Sequence, residues 1–153
     1  MDSRFETNEE IVQAAKKALN QGAWNYLVGA SESETSMRRN RLSFDKVGFR
    51  PRVLVDVSKI DPSSSLLGHK LRIPVILAPI GSLQVFEPEG GVASAKAANT
   101  FGIIQTVSSV TLPSLEDISR STNSPKIFQL YVHGDWEWTQ DIVDRVVAAG
   151  YES

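Results

Sequence analysis

The chain contains no cysteine. That excludes disulfides, thiolate metal sites and a cysteine nucleophile, and it fits any redox compartment. Histidine is scarce, with only His69 and His133, and no metal site is assigned. There is no excess of either charge: 16 basic against 18 acidic residues give a net charge of -2. No global field therefore draws the chain to nucleic acid or to an anionic membrane surface. No run approaches the roughly 20 apolar residues that a membrane span requires. The start, MDSRFETNEE, is polar and acidic, without the apolar stretch of a secretory leader. Internal repeats and low-complexity tracts are missing. The expectation is a soluble, unprocessed chain with the cytoplasm as default compartment and neither nucleic acid nor a membrane as partner.

What is present is the composition of a globular domain, with 153 residues, 41% of them hydrophobic and 22% charged. Thr7 and Glu10 form a capping box, after which Ile11, Ala14, Ala15, Ala18 and Leu19 recur at helical spacing. A second helix is expected over 23–28 before Gly29, and Ser31 with Glu34 predicts a capping box for a third helix reaching about Leu42. Apolar and basic residues then alternate from Phe44 to Val55, and DPSSSLLGHKLRIP reads as a turn entering a hairpin. Residues 1–72 are thus expected to form a helical and hairpin cap over one end of a larger sheet.

Beyond residue 72 short apolar strands alternate with helices. Strands are expected at 73–78, 103–107 and 126–131. They lead to helices from Pro88 to Phe101, from Ser114 with Asp117 as its box partner, and from Asp135 to Ala149 before Gly150. Strand, helix, strand, helix is the pattern of a parallel sheet with crossovers. Three such units over 73–153 fall short of the eight units and roughly 250 residues of a βα barrel. The fold class expected is α/β, an incomplete (β/α)8 TIM barrel with a helical N-terminal preface and three βα units. Tyr151-Glu152-Ser153 stands where a fourth strand should begin.

In such folds ligands bind at the carboxyl ends of the strands. The three ends read Ala78-Pro79-Ile80-Gly81-Ser82, Thr106-Val107-Ser108-Ser109 and Gln129-Leu130-Tyr131. Pro79 and Gly81 would let a flat ligand approach the main chain, or would merely turn an ordinary βα loop. Ser108 and Ser109 offer donors and acceptors, or a helix cap. Gln129 brings an amide into an apolar strand, where an unpaired polar group costs about 1 to 3 kcal/mol. Tyr131 could hydrogen-bond a carboxylate or serve as an amphipathic rim residue. Together they suit a heteroaromatic ring with adjacent N–H and C=O groups.

The segments WNYLVGASESETSMRRNR, FRPRVLVDVS, LGHKLRIPVILAPIGSLQ, EPEGGVASAKAANTFGIIQTVSS and KIFQLYV, in this order, resemble the FMN-dependent α-hydroxy-acid oxidases and dehydrogenases. That family includes glycolate oxidase, lactate oxidase and the flavin-linked lactate and mandelate dehydrogenases. The resemblance implies a (β/α)8 barrel of which this chain is roughly the first two-fifths. It also implies FMN as cofactor and a small 2-hydroxy acid as substrate, with a homo-oligomer expected for the full-length form. By the same resemblance Pro79, Ile80 and Gly81 lie along the central edge of the flavin. Ser108 and Gln129 hydrogen-bond its polar edge, while Tyr26 and Tyr131 face the substrate carboxylate and hydroxyl. Ile80-Gly81 replaces the Thr-Ala of glycolate oxidase and keeps the main-chain contacts. Val110 replaces a tryptophan that lines the substrate pocket there, which leaves the substrate side chain open.

The family's histidine base, its carboxylate-binding arginines, its flavin-supporting lysine and its phosphate loop have no counterpart here. His133 does not match the base, and His69 reads as a structural or exposed turn residue. Three readings compete. The first is the N-terminal part of an oxidoreductase that converts a small L-2-hydroxy acid to the 2-oxo acid and is inactive alone. The second is a truncated relic or self-associating half-barrel, and the third another FMN-linked barrel such as an isomerase.

Overall fold

A computed structural model of the chain describes residues 5–153, so the first four residues of the polar start lie outside the described residues. Two compact units divide it, one ending at Lys59 and one running Ile60–Ser153. No helix among the described residues is long and apolar enough to cross a membrane.

The first unit is helical. Helix α1, Asn8–Ala18, starts at the expected cap: the Thr7 hydroxyl accepts from the Glu10 amide at 3.3 Å, the Glu10 carboxylate accepts from the Glu6 amide at 2.9 Å instead of that of Thr7, and acidic residues fill the first turn while lysines fill the last. Its apolar stripe is not buried, Ile11 being 49% exposed. Helix α2, Gln21–Val28, begins two residues before the expected start because Asn20 caps it, accepting from the Ala23 amide at 2.9 Å. Helix α3, Thr35–Asp45, departs from expectation. Ser31 is not its cap, because its carbonyl closes a tight turn with the Glu34 amide at 2.9 Å. Glu34 takes the cap position with left-handed backbone and turns its carboxylate back to the Ala30 amide. The stretch after α3 forms no strand, and Val47, Phe49 and Leu54 are exposed.

The second unit opens with the expected hairpin. Strands β1, Ser64–Leu66, and β2, His69–Leu71, pair antiparallel across Leu67-Gly68, both with positive φ. Two such residues make a two-residue turn whose twist matches the strands, and glycine at its second position is free of Cβ strain. His69 is half-buried, with Nε2 3.0 Å from Glu152 Oε1.

The predicted strand over 73–78 is reduced to a single bridge, Leu77 to Gln105. Leu77 exchanges bonds with Ile104 O and the Thr106 amide, both at 2.9 Å. Pro74 has no N–H, and the Val75 amide is taken by Ile73 O at 2.8 Å, so the ladder cannot extend toward the hairpin. Pro88 likewise does not open the next helix. Glu87 to Gly90 is a turn closed by a 2.8 Å bond from the Gly90 amide to Glu87 O, a place where proline in second position suits the backbone. Helix α4 runs Gly91–Phe101 and ends, as expected, on left-handed Gly102.

Strands β3, Gln105–Ser108, and β4, Lys126–Gln129, form the parallel ladder, with Gln105 opposite Lys126 and Ser108 opposite Gln129. Between them lies α5, Leu115–Arg120, whose cap Ser114 accepts from the Asp117 amide and donates to its carboxylate. Helix α6, Trp136–Ala148, is capped by Asp135. Residues after Gly150 turn back onto β4: the Glu152 amide reaches Lys126 O at 2.8 Å, and Ser153 O accepts from the Phe128 amide at 2.7 Å.

The core lies between this ladder and its helices. Ala95, Val107, Leu115, Ile118, Val146 and Tyr151 are buried together, with Phe128 and Ile142 packed against them. Helix α4 reaches α5 closely because Gly91 has no Cβ; one there would meet Ile118 Cδ1 and Thr111 Cγ2. The Tyr151 hydroxyl donates to Leu115 O at 2.8 Å, and burial, aided by the charge of Glu116, pushes the phenol pKa well up. Outside the core, Arg145 of α6 grips Glu116 of α5 through two nitrogens at 2.7 and 3.2 Å. That hydrogen bonding, more than the bare charge, holds the Glu116 pKa down to about 2.

Candidate functional site

Strand β3 is buried along its whole length although three of its four residues are polar. Burial on both faces is normal for a parallel strand, but polar side chains there must find partners. Gln105, near the start, donates to Gly91 O and Ser94 Oγ; its own amide oxygen has no partner among the described residues. Ser108, at the other end, points its hydroxyl across the ladder to Gln129 Oε1 at 3.0 Å. The Ser109 amide bonds Gln129 O at 2.9 Å in the same register. Two consecutive serines therefore hold Gln129, one by its side chain and one by its backbone.

Residues 108–111 make a tight turn, closed by the Thr111 amide on Ser108 O at 3.1 Å. Ser108 Oγ also receives the Val110 amide at 3.4 Å, Ser109 Oγ accepts from the Tyr131 amide at 3.1 Å, and Thr111 Oγ1 donates to Ile80 O at 2.6 Å. The Ser82 amide reaches Val110 O at 3.0 Å. One turn therefore fastens all three strand ends. The structure brings Ile80, Gly81, Ser108, Gln129 and the Tyr131 backbone into one row, with Pro79 leading into it.

The space beside Gly81 is not open to a ligand from every side. A Cβ there would come within 2.7 Å of Val110 Cγ2, so the bare Cα is in contact with Val110. What the row leaves uncommitted is its donors. Among the described residues the amides of Ile80 and Gly81 and the Nε2 of Gln129 make no hydrogen bond. Because Gln129 Oε1 is taken by Ser108, the amide nitrogen is the end of the group left to donate.

Tyr131 is 54% exposed, its ring 6.3 Å from that of His133. His133 is exposed and meets Trp138 edge-on at 6.0 Å, at the rim of a cavity of about 200 Å³ that also touches Ser109, Thr111 and Ser114. Tyr26 belongs to the first unit, on α2, and is 64% exposed. Sequence reading had no signal for Thr111 or Val110 as supports of the 79–81 segment. Ser109 was visible as a hydroxyl but not as the partner of Tyr131.

With this geometry in view, the similarities are informative. Residues 15–153 match the model of the FMN-dependent dehydrogenase family. A peroxisomal (S)-2-hydroxy-acid oxidase of Oryza sativa is 38% identical over 144 residues, 94% of this chain and 39% of the relative. Glycolate oxidase 1 of Zea mays is 36% identical over 148 residues, 96% of this chain and 40% of the relative. Among solved structures, a soluble mutant of the membrane-associated (S)-mandelate dehydrogenase from Pseudomonas putida superposes with a TM-score of 0.88 at 33% identity, covering 94% of this chain and 41% of the other. A mandelate oxidase with (S)-4-hydroxymandelic acid gives 0.90 at 29% identity, covering 96% of this chain and 41% of its own. The chain spans about two-fifths of the length of the curated relatives it matches, and its fold is correspondingly a partial barrel.

Proposed function

The chain belongs to the family of FMN-dependent dehydrogenases, and from that premise we propose that it supplies the flavin-edge part of an enzyme oxidising a small L-2-hydroxy acid, lactate- or glycolate-like, to the 2-oxo acid. The observation that carries this reading is the row of unspent donors, the Ile80 and Gly81 amides and Gln129 Nε2, at the carboxyl end of the strands. The isoalloxazine ring of FMN presents ring nitrogens and carbonyl oxygens along its edges, so these donors are its complement. The residues present fit that part of the group.

When bound, FMN supplies the two-electron acceptor for the α-carbon hydride. The rest falls to side chains. In this reading Pro79, Ile80 and Gly81 would line the central edge, the Ile80 carbonyl being engaged by Thr111 while the Ile80 and Gly81 amides stay free to donate. Gln129, oriented by Ser108, serves the polar edge. Tyr131 offers its phenol to the substrate carboxylate or hydroxyl, and the family resemblance implies a substrate-facing role for Tyr26 as well. The proton of the substrate hydroxyl needs a general base, and a positioned base contributes roughly 10² to 10⁴-fold. No residue here matches the family's base, and His133, exposed and packed against Trp138, is not assigned to it. The chain alone is therefore proposed to bind flavin without turning over.

Titration of the purified chain with FMN tests this directly. Saturable quenching of flavin fluorescence, with no bleaching of the flavin on addition of lactate or glycolate, is the expected result. Absence of saturable quenching removes the flavin-edge role, and rapid bleaching removes the assignment of the base to residues outside this chain.

One observation favours the second reading, a self-associating half-barrel. Val75, Ile76 and Ile80, on the segment that makes only one bridge, are 47%, 37% and 49% exposed. Unpaired edges with apolar side chains favour pairing with another chain. Sedimentation velocity over a range of concentrations separates the readings: a concentration-dependent dimer that binds no FMN selects the second.

A further inference from the structure

Thr111 is 7% exposed, and its hydroxyl donates to Ile80 O at 2.6 Å across 31 residues of sequence. Its rotamer is held from the other side. A Cβ built on Gly91 would approach Thr111 Cγ2 to 2.9 Å, so the threonine methyl rests on the bare Cα of Gly91 at the start of α4. A β-branched side chain is stiff about χ1, and fixing the methyl fixes the hydroxyl. The turn that carries Thr111 is itself closed on Ser108, whose side chain orients Gln129.

The consequence passes through one peptide plane. The Ile80–Gly81 bond is trans, and in a planar trans peptide the C=O and the N–H point in opposite directions. Holding Ile80 O toward Thr111 therefore aims the Gly81 N–H away from it, and that N–H has no partner among the described residues. A hydrogen bond accepted by the carbonyl also polarises the same amide and makes its N–H a stronger donor.

We infer that Thr111 is a positioning residue for the flavin: its buried hydroxyl sets the direction and donor strength of the Gly81 N–H through the Ile80 carbonyl. The inference rests on the reading that FMN lies along Ile80–Gly81. It does not require Thr111 to touch the cofactor.

The test uses ¹⁵N-labelled chain and two substitutions of opposite kind. Thr111→Val keeps the shape and removes the hydroxyl; Thr111→Ser keeps the hydroxyl and removes the methyl. The Gly81 amide proton resonance is expected to move upfield in Thr111→Val and to stay near its native position in Thr111→Ser. The dissociation constant for FMN, from fluorescence quenching, is expected to rise about 2- to 12-fold in Thr111→Val, the range of one net hydrogen bond, and to be largely recovered by Thr111→Ser. Should Thr111→Val not fold, Thr111→Ala removes the same donor without a buried branched methyl and is read in the same way. An unmoved Gly81 resonance in the hydroxyl-free variant overturns the inference whatever the flavin does, and so does an unchanged FMN dissociation constant. If the native chain binds no FMN, the proposed function fails, while the Gly81 resonance still decides whether Thr111 controls that amide.

Discussion

Ser108 and Gln129 are joined twice: they are register partners across the parallel β3–β4 ladder, and the serine hydroxyl donates to the glutamine amide oxygen at 3.0 Å. The second bond leaves the amide nitrogen of Gln129 as the free end of the group. Ser108 is 3% exposed, so its hydroxyl has no solvent alternative. Replacing it by alanine removes the hydrogen bond that Gln129 Oε1 accepts and lets the amide turn over. Ser108→Ala is expected to weaken FMN binding about 2- to 12-fold and to lower unfolding stability by about 1 kcal/mol. Fluorescence quenching and urea denaturation check the two effects, and an unchanged affinity would show that the amide orientation does not matter to the flavin.

Gly81 and Val110 form a second relationship that can be taken apart. A methyl group on Gly81 would lie 2.7 Å from Val110 Cγ2, well inside contact distance. Overpacking of this kind costs about 1 to 3 kcal/mol. Gly81→Ala should destabilise the chain by that amount, and adding Val110→Ala should recover most of it, giving a large coupling in the double-mutant cycle. Additive effects would mean that Gly81 is required for some reason other than Val110.

The parts of this fold that could be read from the sequence are those governed by local rules. Ser114 with Asp117, Asp135 before α6, Gly102 after α4 and Leu67-Gly68 in the hairpin each act over a few residues. The strand expected over 73–78 shrinks to one bridge because its apolar side chains are right for a strand while Pro74 and the turn at Ile73–Val75 remove the donors a ladder needs. Glu34 shows the same limit in a helix, since left-handed backbone at a cap is not announced by residue type. The candidate ligands were legible as a group because strand ends converge in parallel folds. Their supports were not: Thr111 reaches Ile80 across 31 residues and Ser109 reaches Tyr131 across 22, and no local pattern encodes such bonds.

Tyr151 ties the end of α6 to the start of α5. Its hydroxyl donates to Leu115 O at 2.8 Å while its ring meets Phe128 edge-on, with centroids 5.6 Å apart. Tyr151→Phe keeps the ring contact and removes only the bond. The expected loss is about 1 kcal/mol of unfolding free energy, with no change in FMN affinity because the residue belongs to the core rather than to the strand ends. A change in affinity with stability intact would place the core and the flavin edge in one coupled unit.

The Glu116–Arg145 pair predicts how the packing of α5 on α6 responds to acid. Its hydrogen bonds to Arg145 hold the Glu116 pKa down to about 2, from an ordinary value of 4.5. A carboxylate whose pKa is depressed on folding stabilises the folded state above its unfolded pKa, and that contribution disappears as pH falls through the folded value. The window is therefore from about pH 4.5 down to about pH 2. The size is modest, because Glu116 and Arg145 are 30% and 43% exposed and water screens the pair; exposed ion pairs contribute about 0 to 1 kcal/mol. Urea denaturation of the native chain and of Glu116→Gln should differ by up to about 1 kcal/mol at pH 6 and converge near pH 2. Parallel pH profiles would show that the bidentate contact adds nothing to stability, leaving α5 and α6 held by core packing around Leu115, Ile118 and Val146 and by the bonds of Tyr151 to Leu115 O and of Ser119 to Ala149 O.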